Sequence, residues 1–516
     1  MNGTNKSPGL SLIRLVFSRT TVILLALVLN ILLLFAAAMP WVEKLPLLVG
    51  GVEIFTALML IHVLNTRDNP SIKLSWCIVI AVAPLFGAAV YWFTRFDLGW
   101  RLGKYVHRET RRSSAAYIPD CTPVLEKLKE RDRDFGNLAT YMYRRGGYPV
   151  FENTNVCYFP LGEDKFARML TELEKAERFI FLEYFIIGPS SMWDEILEIL
   201  KRKAAEGVEV RVMYDGSCAV TCLPYSYPKE LARYGIQAKM FSPFRPFVST
   251  HYNNRDHRKL LVIDGHTAFT GGVNIQDRYI NRKEVYGHWK DTAVMVRGDA
   301  ARSFTLMFLQ MWNTTEKEKV YEPYLLPSRP APESRGYVIP YGVYPMDGEK
   351  MGELVYLKMI HQAKRSLYIM TPYLILDSEM ITALQFCAKQ GVDVRLILPH
   401  IPDKLTAFAL AKSHYRELSE AGVKIYEYTP GFVHAKTLLC DDLHAIVGTV
   451  NLDYRSLYLN YECAAYLYDV PAIADIRRDF EQTLEKSMFI TPEEISRQGL
   501  FTRMLGRLLK LFAPLM

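Results

Sequence analysis

Cysteine is sparse in this sequence of 516 residues, and its spacing excludes the common zinc sites. The eight cysteines are scattered from Cys77 to Cys463. The closest pair, Cys218 and Cys222, has no second pair of cysteines or histidines beside it to complete a tetrahedral site. We therefore predict eight free thiols and a protein that uses neither a metal ion nor another cofactor.

A strong excess of charge is also missing. Lysine and arginine outnumber aspartate and glutamate by 62 to 55, which gives a net charge of +7. This modest excess does not by itself indicate a nucleic-acid partner, and a basic surface could equally face anionic lipid. Half of the residues are hydrophobic and the mean hydropathy is just above zero. The chain is long enough for two or three domains, and this balance suggests soluble domains joined to a membrane region.

Three long apolar stretches open the chain, at residues 22–39, 45–64 and 76–93. Each is close to the roughly 20 residues that a helix needs to cross a bilayer. The first has no small-x-small cleavage site after it, which argues against a secretory signal peptide. Buried core helices are the alternative, but TVILLALVLNILLLFAAA has no polar face. The sequence predicts an N-terminal membrane region, residues 1–112, with three transmembrane helices.

Basic residues flank this membrane region on both sides. Three spans would place seven of them on the side of the following domains: Lys44, Arg95, Arg101, Lys104, Arg108, Arg111 and Arg112. Five would lie on the other side: Lys6, Arg14, Arg19, Arg67 and Lys73. The positive-inside rule then favours, by a small margin, a multi-pass membrane protein whose soluble body is cytoplasmic.

The remainder of the chain contains a βαβ pattern twice. RFIFLEYFIIGPSSMWDEILEILKRKAAEGVEVRVMYDG, from Arg178, aligns with RSLYIMTPYLILDSEMITALQFCAKQGVDVRLILPH, from Arg365. Each copy has an apolar strand, a helix of period near 3.6, a Gly-Val turn and a second apolar strand. We expect two α/β halves, residues 113–323 and 341–490, joined by a proline-rich linker at residues 324–340.

The last segment, residues 491–516, predicts a helix of its own. Apolar residues recur near one face and basic residues lie elsewhere: Leu500, Met504, Leu508 and Leu509 against Arg503, Arg507 and Lys510. A basic amphipathic helix on a membrane surface fits this pattern. A helix docked on the protein itself fits it equally well.

One set of polar residues follows each βαβ unit. HRKLLVIDGHTAFTGGVN, residues 257–274, and HAKTLLCDDLHAIVGTVN, residues 434–451, share their polar residues at the same offsets. The matching residues are His257, Lys259, Asp264 and Asn274 in the first copy and His434, Lys436, Asp441 and Asn451 in the second. Residues two apart share a face of a strand, so the histidine and lysine of each copy point the same way.

Two such sets facing one another suit phosphodiester chemistry without a metal. One imidazole can attack phosphorus while the other protonates the departing oxygen. Lysine and asparagine can hold the charge on the non-bridging oxygens. A phosphorylated histidine intermediate follows from this arrangement. A single His-x-Lys would be an accident of strand sequence, but two copies that agree at His, Lys, Asp, Gly and Asn argue against coincidence, with Gly271 and Gly448 as the matching glycines.

These motifs resemble the HKD motifs of the phospholipase D superfamily, and the resemblance covers most of the chain from about Gly147. IKLSWCIVIAVAPLFGAAVYWF, GHWKDT, TVNLDYRSLYLNYE and LLKLFAPLM resemble segments of the bacterial cardiolipin synthases. The resemblance implies two phospholipase D-like α/β halves packed as a pseudo-dimer, preceded by transmembrane helices. It implies an enzyme of the bacterial cell membrane that transfers phosphatidyl between two phosphatidylglycerol molecules. The products would be cardiolipin and glycerol, formed through a phosphatidyl-histidine intermediate.

The resemblance also implies a role for each motif residue. The nucleophile and the general acid/base are His257 and His434. The groups on the phosphate are Lys259, Lys436, Asn274 and Asn451. The aspartates Asp264 and Asp441 complete the catalytic motifs, and in the superfamily this residue mostly fixes the turn after the strand.

A later carboxylate usually orients the histidine in this superfamily. Glu462 in SLYLNYE and Asp291 in GHWKDT fit that role, with Glu284 as the alternative to Asp291. The sequence departs from the usual motif at Gly272 and Thr449, where serine is common, so the first half loses a hydroxyl. Asp256, before His257, is expected to raise the pKa of that histidine.

The expected partners are phosphatidylglycerol and anionic membrane lipid, without nucleic acid. A hydrolytic phospholipase D or another phosphatidyltransferase is the alternative, distinguished by whether water or an alcohol accepts the phosphatidyl group. The predicted membrane spans and the modest charge argue against a nuclease. A non-catalytic membrane scaffold is the alternative from a different class, and two intact His-Lys-Asn sets argue against it.

Overall fold

The computed structural model describes residues 46–95, 98–243, 254–325 and 334–515, with residues 27, 28, 30, 31, 327 and 331. Among these, the residues up to Leu102 and those from Lys510 form one compact unit, here called the N-terminal unit. The residues from Gly103 to Leu509 form a second unit, here called the α/β unit. Both copies of the polar motif lie in the α/β unit.

The N-terminal unit contains the helices α1 (Pro46–Leu64), α2 (Pro70–Val82) and α3 (Pro84–Arg95). The predicted span 45–64 corresponds to α1, whereas the predicted span 76–93 is divided between α2 and α3. Pro84 causes this division, because the residue before it, Ala83, leaves the helical region with φ −137° and ψ 77°. The predicted span 22–39 lies almost entirely outside the described residues. Within the described residues, no helix is long and apolar enough to span a bilayer.

The α/β unit begins within a helix. Its first elements are α4 (Leu98–Ser114), α5 (Thr122–Arg131), α6 (Arg133–Tyr141) and a π-helical turn (Met142–Gly146). The domain boundary predicted at residue 112 lies inside α4. The end of α4 packs on the α/β unit, since the Tyr321 hydroxyl donates to the Thr110 carbonyl at 3.1 Å and Gln310 donates to Ser114 at 2.8 Å. The basic composition of this segment could not reveal those contacts.

The first half is a mixed sheet with helices. Its strands are β1 (Thr154–Phe159), β2 (Phe179–Tyr184), β3 (Glu209–Asp215), β4 (Gln237–Phe241), β5 (Lys259–Ile263), β6 (Thr267–Gly271), β7 (His288–Lys290) and β8 (Ala293–Gly298). Its helices are α7 (Gly162–Glu174), α8 (Ser191–Ala205), α9 (Cys218–Thr221), α10 (Tyr227–Ala232) and α11 (Ala301–Trp312). The strand order of the seven-stranded sheet is β1-β8-β6-β5-β2-β3-β4.

The second half repeats this plan. Its strands are β9 (Tyr337–Val343), β10 (Ser366–Met370), β11 (Asp393–Pro399), β12 (Lys424–Tyr428), β13 (Gly431–Val433), β14 (Thr437–Cys440), β15 (His444–Gly448), β16 (Glu462–Tyr468) and β17 (Ser487–Phe489). Its helices are α12 (Met351–Gln362), α13 (Ser378–Lys389), α14 (Leu405–Ser419) and α15 (Ala472–Glu485). The order of the eight-stranded sheet is β17-β12-β11-β10-β14-β15-β16-β9.

The two predicted βαβ units are confirmed. β2 pairs in parallel with β3 and β10 pairs in parallel with β11, with α8 and α13 as the crossover helices. The glycines of the two predicted Gly-Val turns have positive φ angles, 92° at Gly207 and 91° at Gly391. This left-handed conformation favours glycine, so the turn requires that residue in both copies.

β9 begins inside the stretch predicted as a linker. Pro340 made this stretch look irregular, yet it pairs with Ala465 of β16. β9 is an edge strand, and an edge strand tolerates proline because its outer side needs no N–H donor.

The sheets of the two halves share one core, and the motif strand β5 contributes to it. Leu260 and Val262 belong to this shared core, whereas Leu261 and Ile263 belong to the core on the other face of the first sheet. The strand is therefore apolar on both faces, as expected where helices or a second sheet cover each face.

The motif aspartates fix the turns that follow β5 and β14. The Asp264 carboxylate accepts hydrogen bonds from the N–H groups of Glu177, Arg178 and Phe179 at 2.8–2.9 Å. Asp441 accepts three bonds of 2.8 Å from the matching residues: Lys364, Arg365 and Ser366. Each aspartate thus ties its motif hairpin to the first strand of its βαβ unit.

The chain ends with α16 (Pro492–Ser496) and α17 (Leu500–Phe512). Gly506 is buried against Ala409 and Ser413 of α14, whereas Leu500, Phe501 and Leu508 are 69%, 78% and 56% exposed. One side of α17 is therefore docked on the α/β unit while its large apolar side chains face outward.

Candidate active site

The strand segment that carries each motif histidine is paired with the opposite half. The His257 N–H donates to the Tyr461 carbonyl at 2.9 Å, and the His434 N–H donates to the Lys290 carbonyl at 2.7 Å. Just before His434, β13 pairs in parallel with β7 of the first half. Just before His257, Asp256 forms a parallel bridge with Tyr461. Each histidine therefore lies beside a segment of the other half.

This pairing exchanges the two carboxylates between the halves. The His257 Nδ1 lies 2.9 Å from both carboxylate oxygens of Glu462, and the His434 Nδ1 lies 2.7 Å from Asp291 Oδ2. Both carboxylates are fully buried. A carboxylate at Nδ1 holds the ring orientation and keeps the proton on that nitrogen, which leaves Nε2 for the substrate.

Further donors hold the carboxylates, and the sequence interpretation missed them. The Thr449 hydroxyl donates to Glu462 Oε2, and the Asn460 amide donates to Oε1 at 3.3 Å. The Trp289 indole N–H donates to Asp291 Oδ2 at 3.4 Å. Asn460 and Trp289 each stand two residues before their carboxylate. Residues with this spacing share a face of a strand, and that signal could have identified them.

The two motif lysines are buried next to the histidines. Lys259 and Lys436 are each 1% exposed, and each ammonium donates to the backbone carbonyl of its own motif histidine. Burial lowers the pKa of Lys259 to about 7 and that of Lys436 to about 8, while nearby carboxylates act in the opposite direction. Both lysines are thus close to titration at neutral pH.

Both motif histidines are neutral at neutral pH. Burial lowers the pKa of His257 to about 4 against the opposing effect of Glu462. Burial and then Lys436 lower the pKa of His434 to about 3, with Asp291 acting in the opposite direction. Each histidine also senses the lysine of the other half, because Lys436 lowers the pKa of His257 and Lys259 lowers that of His434. The two motifs therefore share one electrostatic environment.

The pKa of His257 is lowered, and Asp256 is not among the main charges that act on it, contrary to the expectation from its position. Successive residues of an extended chain point to opposite sides, and the Asp256 carboxylate lies with Arg258 and Glu183. Burial raises the pKa of Asp256 itself to about 6, while Arg258 opposes the shift. The carboxylate whose charge raises the pKa of His257 is Glu462.

The remaining predicted residues lie in different settings. Asn274 is buried and accepts a hydrogen bond from the Ile186 N–H at 3.1 Å. The Asn451 Oδ1 is buried and has no hydrogen-bond partner within the described part of the chain. Glu284, the alternative to Asp291, is exposed.

One group of carboxylates among the described residues is close enough together to hold a cation: Glu353, Asp377 and Glu379. The Tyr458 hydroxyl already donates to Glu353, at 2.9 Å, and to Asp377. These carboxylates are not the ones that contact the motif histidines.

Gly272 is expected to be essential for the contact between Asp291 and His434. A Cβ at this position would lie 2.0 Å from Asp291 Oδ1 and 2.9 Å from the His434 carbonyl. Gly272→Ala should therefore displace the carboxylate and lower kcat by at least about tenfold, because a displaced Asp291 no longer orients the His434 ring through Nδ1. Steady-state kinetics on purified protein would measure this loss.

Two variants serve as controls for Gly272→Ala. Thr449→Ser keeps the hydroxyl on Glu462 and should leave kcat nearly unchanged. Gly499→Ala places a methyl group in open space and should have no effect. A normal kcat in Gly272→Ala would show that the contact between Asp291 and His434 does not require glycine at position 272.

Comparisons with known proteins agree with this geometry. The chain matches the family described as cardiolipin synthase, phospholipase D-like domain, over residues 169–312 and 356–484, together more than half of its length. Residues 54–95 match the phospholipase D-nuclease N-terminal family. The crystal structure of a phosphatidylserine synthase from Haemophilus influenzae aligns with 74% of this chain and 97% of its own, with a TM-score of 0.55 at 16% identity. At this identity the likeness supports the fold alone.

Two curated relatives extend over nearly the whole protein. An uncharacterized protein of Streptococcus mutans is 50% identical over 88% of this chain and 99% of its own length. A cardiolipin synthase of Geobacillus kaustophilus is 34% identical over 87% of this chain and 89% of its own length. With two α/β halves, two HKD motifs and these relatives, the chain belongs to the bacterial cardiolipin synthase family of the phospholipase D superfamily.

Proposed function

We propose that this protein is a phosphatidyltransferase that converts two phosphatidylglycerol molecules into cardiolipin and glycerol. The observation that carries the proposal is the pair of neutral imidazoles, each held at Nδ1 by a carboxylate of the opposite half. Two buried lysines beside them supply positive charge for a phosphodiester anion, which in turn favours their protonated form. The curated relatives named cardiolipin synthase support this substrate.

In the first half-reaction, His257 Nε2 attacks the phosphorus of one phosphatidylglycerol. The bond between phosphorus and the headgroup glycerol oxygen breaks, and His434 gives its Nε2 proton to that oxygen. His434 must therefore be protonated when substrate is bound, although its pKa in the ligand-free site is about 3. A bound phosphodiester raises this pKa, because an anion near the imidazole favours the charged form.

In the second half-reaction, a second phosphatidylglycerol replaces glycerol. Neutral His434 accepts the proton of its glycerol hydroxyl, and the oxygen attacks the phosphorus of phosphatidyl-His257. The bond between phosphorus and nitrogen breaks, cardiolipin leaves, and His434 is protonated again. During both steps the non-bridging oxygens are bound by Lys259, Lys436, Asn274 and Asn451.

Purified protein supplied with phosphatidylglycerol alone is expected to produce cardiolipin and glycerol in equal amounts. The reaction should continue in EDTA, because the two lysines and two asparagines provide the charge stabilisation for the phosphate. Lipid mass spectrometry and an enzymatic glycerol assay would follow both products. A requirement for a divalent ion in the chemical step, or for a nucleotide-activated lipid as donor, would contradict the mechanism. Phosphatidic acid as the main product would identify a hydrolase.

We propose that the protein is an integral membrane protein with a cytoplasmic α/β unit and that α17 adds contact with the bilayer surface. The apolar stretches of the sequence and the match at residues 54–95 support the anchor. The exposed Leu500, Phe501 and Leu508 support a lipid-facing side of α17.

The protein should stay in the membrane pellet after washing with alkaline carbonate. An exposed Glu198→Cys variant tests the orientation, since the Glu198 side chain is 73% exposed in the α/β unit. A membrane-impermeant maleimide should label Cys at this position only after the cells are permeabilised, with the wild-type protein as the background. Labelling in intact cells would reverse the orientation, and release by carbonate would show that the protein is peripheral.

A further inference from the structure

A basic cavity of about 560 Å³ lies in the α/β unit, and none of the motif residues lines it. Its walls are α4, the π-helical turn and the chain that follows β9. The basic residues of the wall are Lys104, Arg108, Arg111 and Arg145, with His107 beside them. Its volume lies in the range of roughly 300–1,000 Å³ found for small-molecule sites.

One arginine of this cavity is held in place by the protein. Arg111 pairs with Asp347, donates to the Gly146 carbonyl at 2.8 Å and lies 4.9 Å above the Tyr344 ring. The other carboxylate of the wall, Glu349, accepts a hydrogen bond from the Tyr141 hydroxyl at 2.8 Å. Both carboxylates of the wall are therefore engaged by groups of the protein.

Two other arginines of the cavity lack such a partner. Within the described part of the chain, no carboxylate lies within the 4.0 Å ion-pair distance of Arg108 or Arg145. Four cations against two carboxylates leave the wall with a net charge of +2 when His107 is counted as neutral. Guanidinium groups bind phosphate oxygens through two parallel N–H donors, so this wall suits a phosphate group.

Two residues of the cavity wall, His107 and Tyr344, contact the residue that is hydrogen-bonded to the His257 backbone. The His107 ring lies 4.9 Å from the Tyr461 ring, and the Tyr344 ring lies 5.8 Å from it. Tyr461 is the residue whose carbonyl accepts the hydrogen bond from the His257 N–H, and it directly precedes Glu462. A ligand that orders His107 and Tyr344 would therefore also order the segment that holds His257.

We propose that this cavity binds the phosphate of a second anionic phospholipid, one that does not react, and that the bound lipid supports the active site through Tyr461. Apolar surface adjoins the cations, because Tyr105, which shares a face of α4 with Arg108 three residues later, is 67% exposed. A phospholipid uses such a surface, whereas inorganic phosphate does not. The effect on turnover rests on the proposed function, but the binding does not.

A pair of double variants tests the binding. Arg108→Gln with Arg145→Gln removes the two arginines that lack a carboxylate partner. Arg112→Gln with Arg144→Gln removes the same charge from the same two helical segments, and neither residue lines the cavity. Native mass spectrometry of the full chain in neutral detergent, with added dioleoyl phosphatidic acid, would count bound lipids and give their affinity.

The first double variant should lose one bound lipid, or bind it at least about tenfold more weakly, since it loses two charge-assisted contacts. The second should bind as the wild type does. Turnover of phosphatidylglycerol should fall severalfold in the first variant alone.

Equal losses of lipid binding in both variants, or no loss in either, would overturn the inference. Displacement of the lipid by millimolar inorganic phosphate would overturn the choice of a lipid ligand. If lipid binding follows the expected pattern while the wild type makes no cardiolipin, the proposed function fails and the binding site stands.

Discussion

Alanine in place of either His257 or His434 should reduce cardiolipin formation by at least about 10⁴-fold, because attack and leaving-group protonation each need one imidazole. The two losses should not add, since the histidines act in a single chemical step. A His361→Ala variant is a suitable control, because His361 is exposed in the last turn of α12 and should leave turnover unchanged. Normal turnover in either active-site variant would refute the two-histidine mechanism.

The same variants identify the nucleophile. A phosphatidyl ester of p-nitrophenol has a leaving group that departs without a proton, so the variant without the acid can still form the covalent intermediate. We expect His434→Ala to accumulate a phosphatidyl adduct on His257, detected by peptide mass spectrometry. An adduct found only on His434, in the His257→Ala protein, would exchange the two roles.

Glu462→Gln and Asp291→Asn are each expected to lower kcat by about 10²–10⁴-fold with little change in folding. The amide keeps the size of the side chain but loses the charge that holds the Nδ1 proton and opposes the lowering of the histidine pKa. Each variant should therefore lower the pKa of its histidine further: at His434 less imidazolium is left to act as the acid, and at His257 the cationic phosphatidyl-imidazolium loses the charge that stabilises it. Glu284→Gln, an exposed carboxylate of the same half as Asp291, should have no effect on kcat.

The exchange of carboxylates between the halves makes this second prediction specific. In protein with ¹⁵N-labelled histidine, Glu462→Gln should alter the tautomer signals of His257, and Asp291→Asn should alter those of His434. The histidine of the same half should be unchanged in each case. If Glu462→Gln instead altered His434 alone, the crossed pairing would be wrong.

Several features of this protein follow from the sequence by itself. The duplicated motif and the two βαβ patterns predicted two α/β halves and phosphodiester chemistry, and the family and the halves are confirmed. This was possible because strand alternation and helical periodicity are local properties. The spacing His-x-Lys alone places both side chains on one face of a strand.

Only the tertiary structure decided which groups of the two halves meet. Chain order places Asp291 after His257 and Glu462 after His434, yet β13 pairs with β7 and Asp256 with Tyr461, so each carboxylate contacts the other histidine. Burial likewise decided the protonation states, because the desolvation of His257 outweighs the carboxylate beside it. The packing of the end of α4 on the α/β unit also depends on hydrogen bonds between residues about 200 positions apart in the sequence. Such distant pairings arise when the two halves close on each other, and no periodicity within one segment of the chain records them.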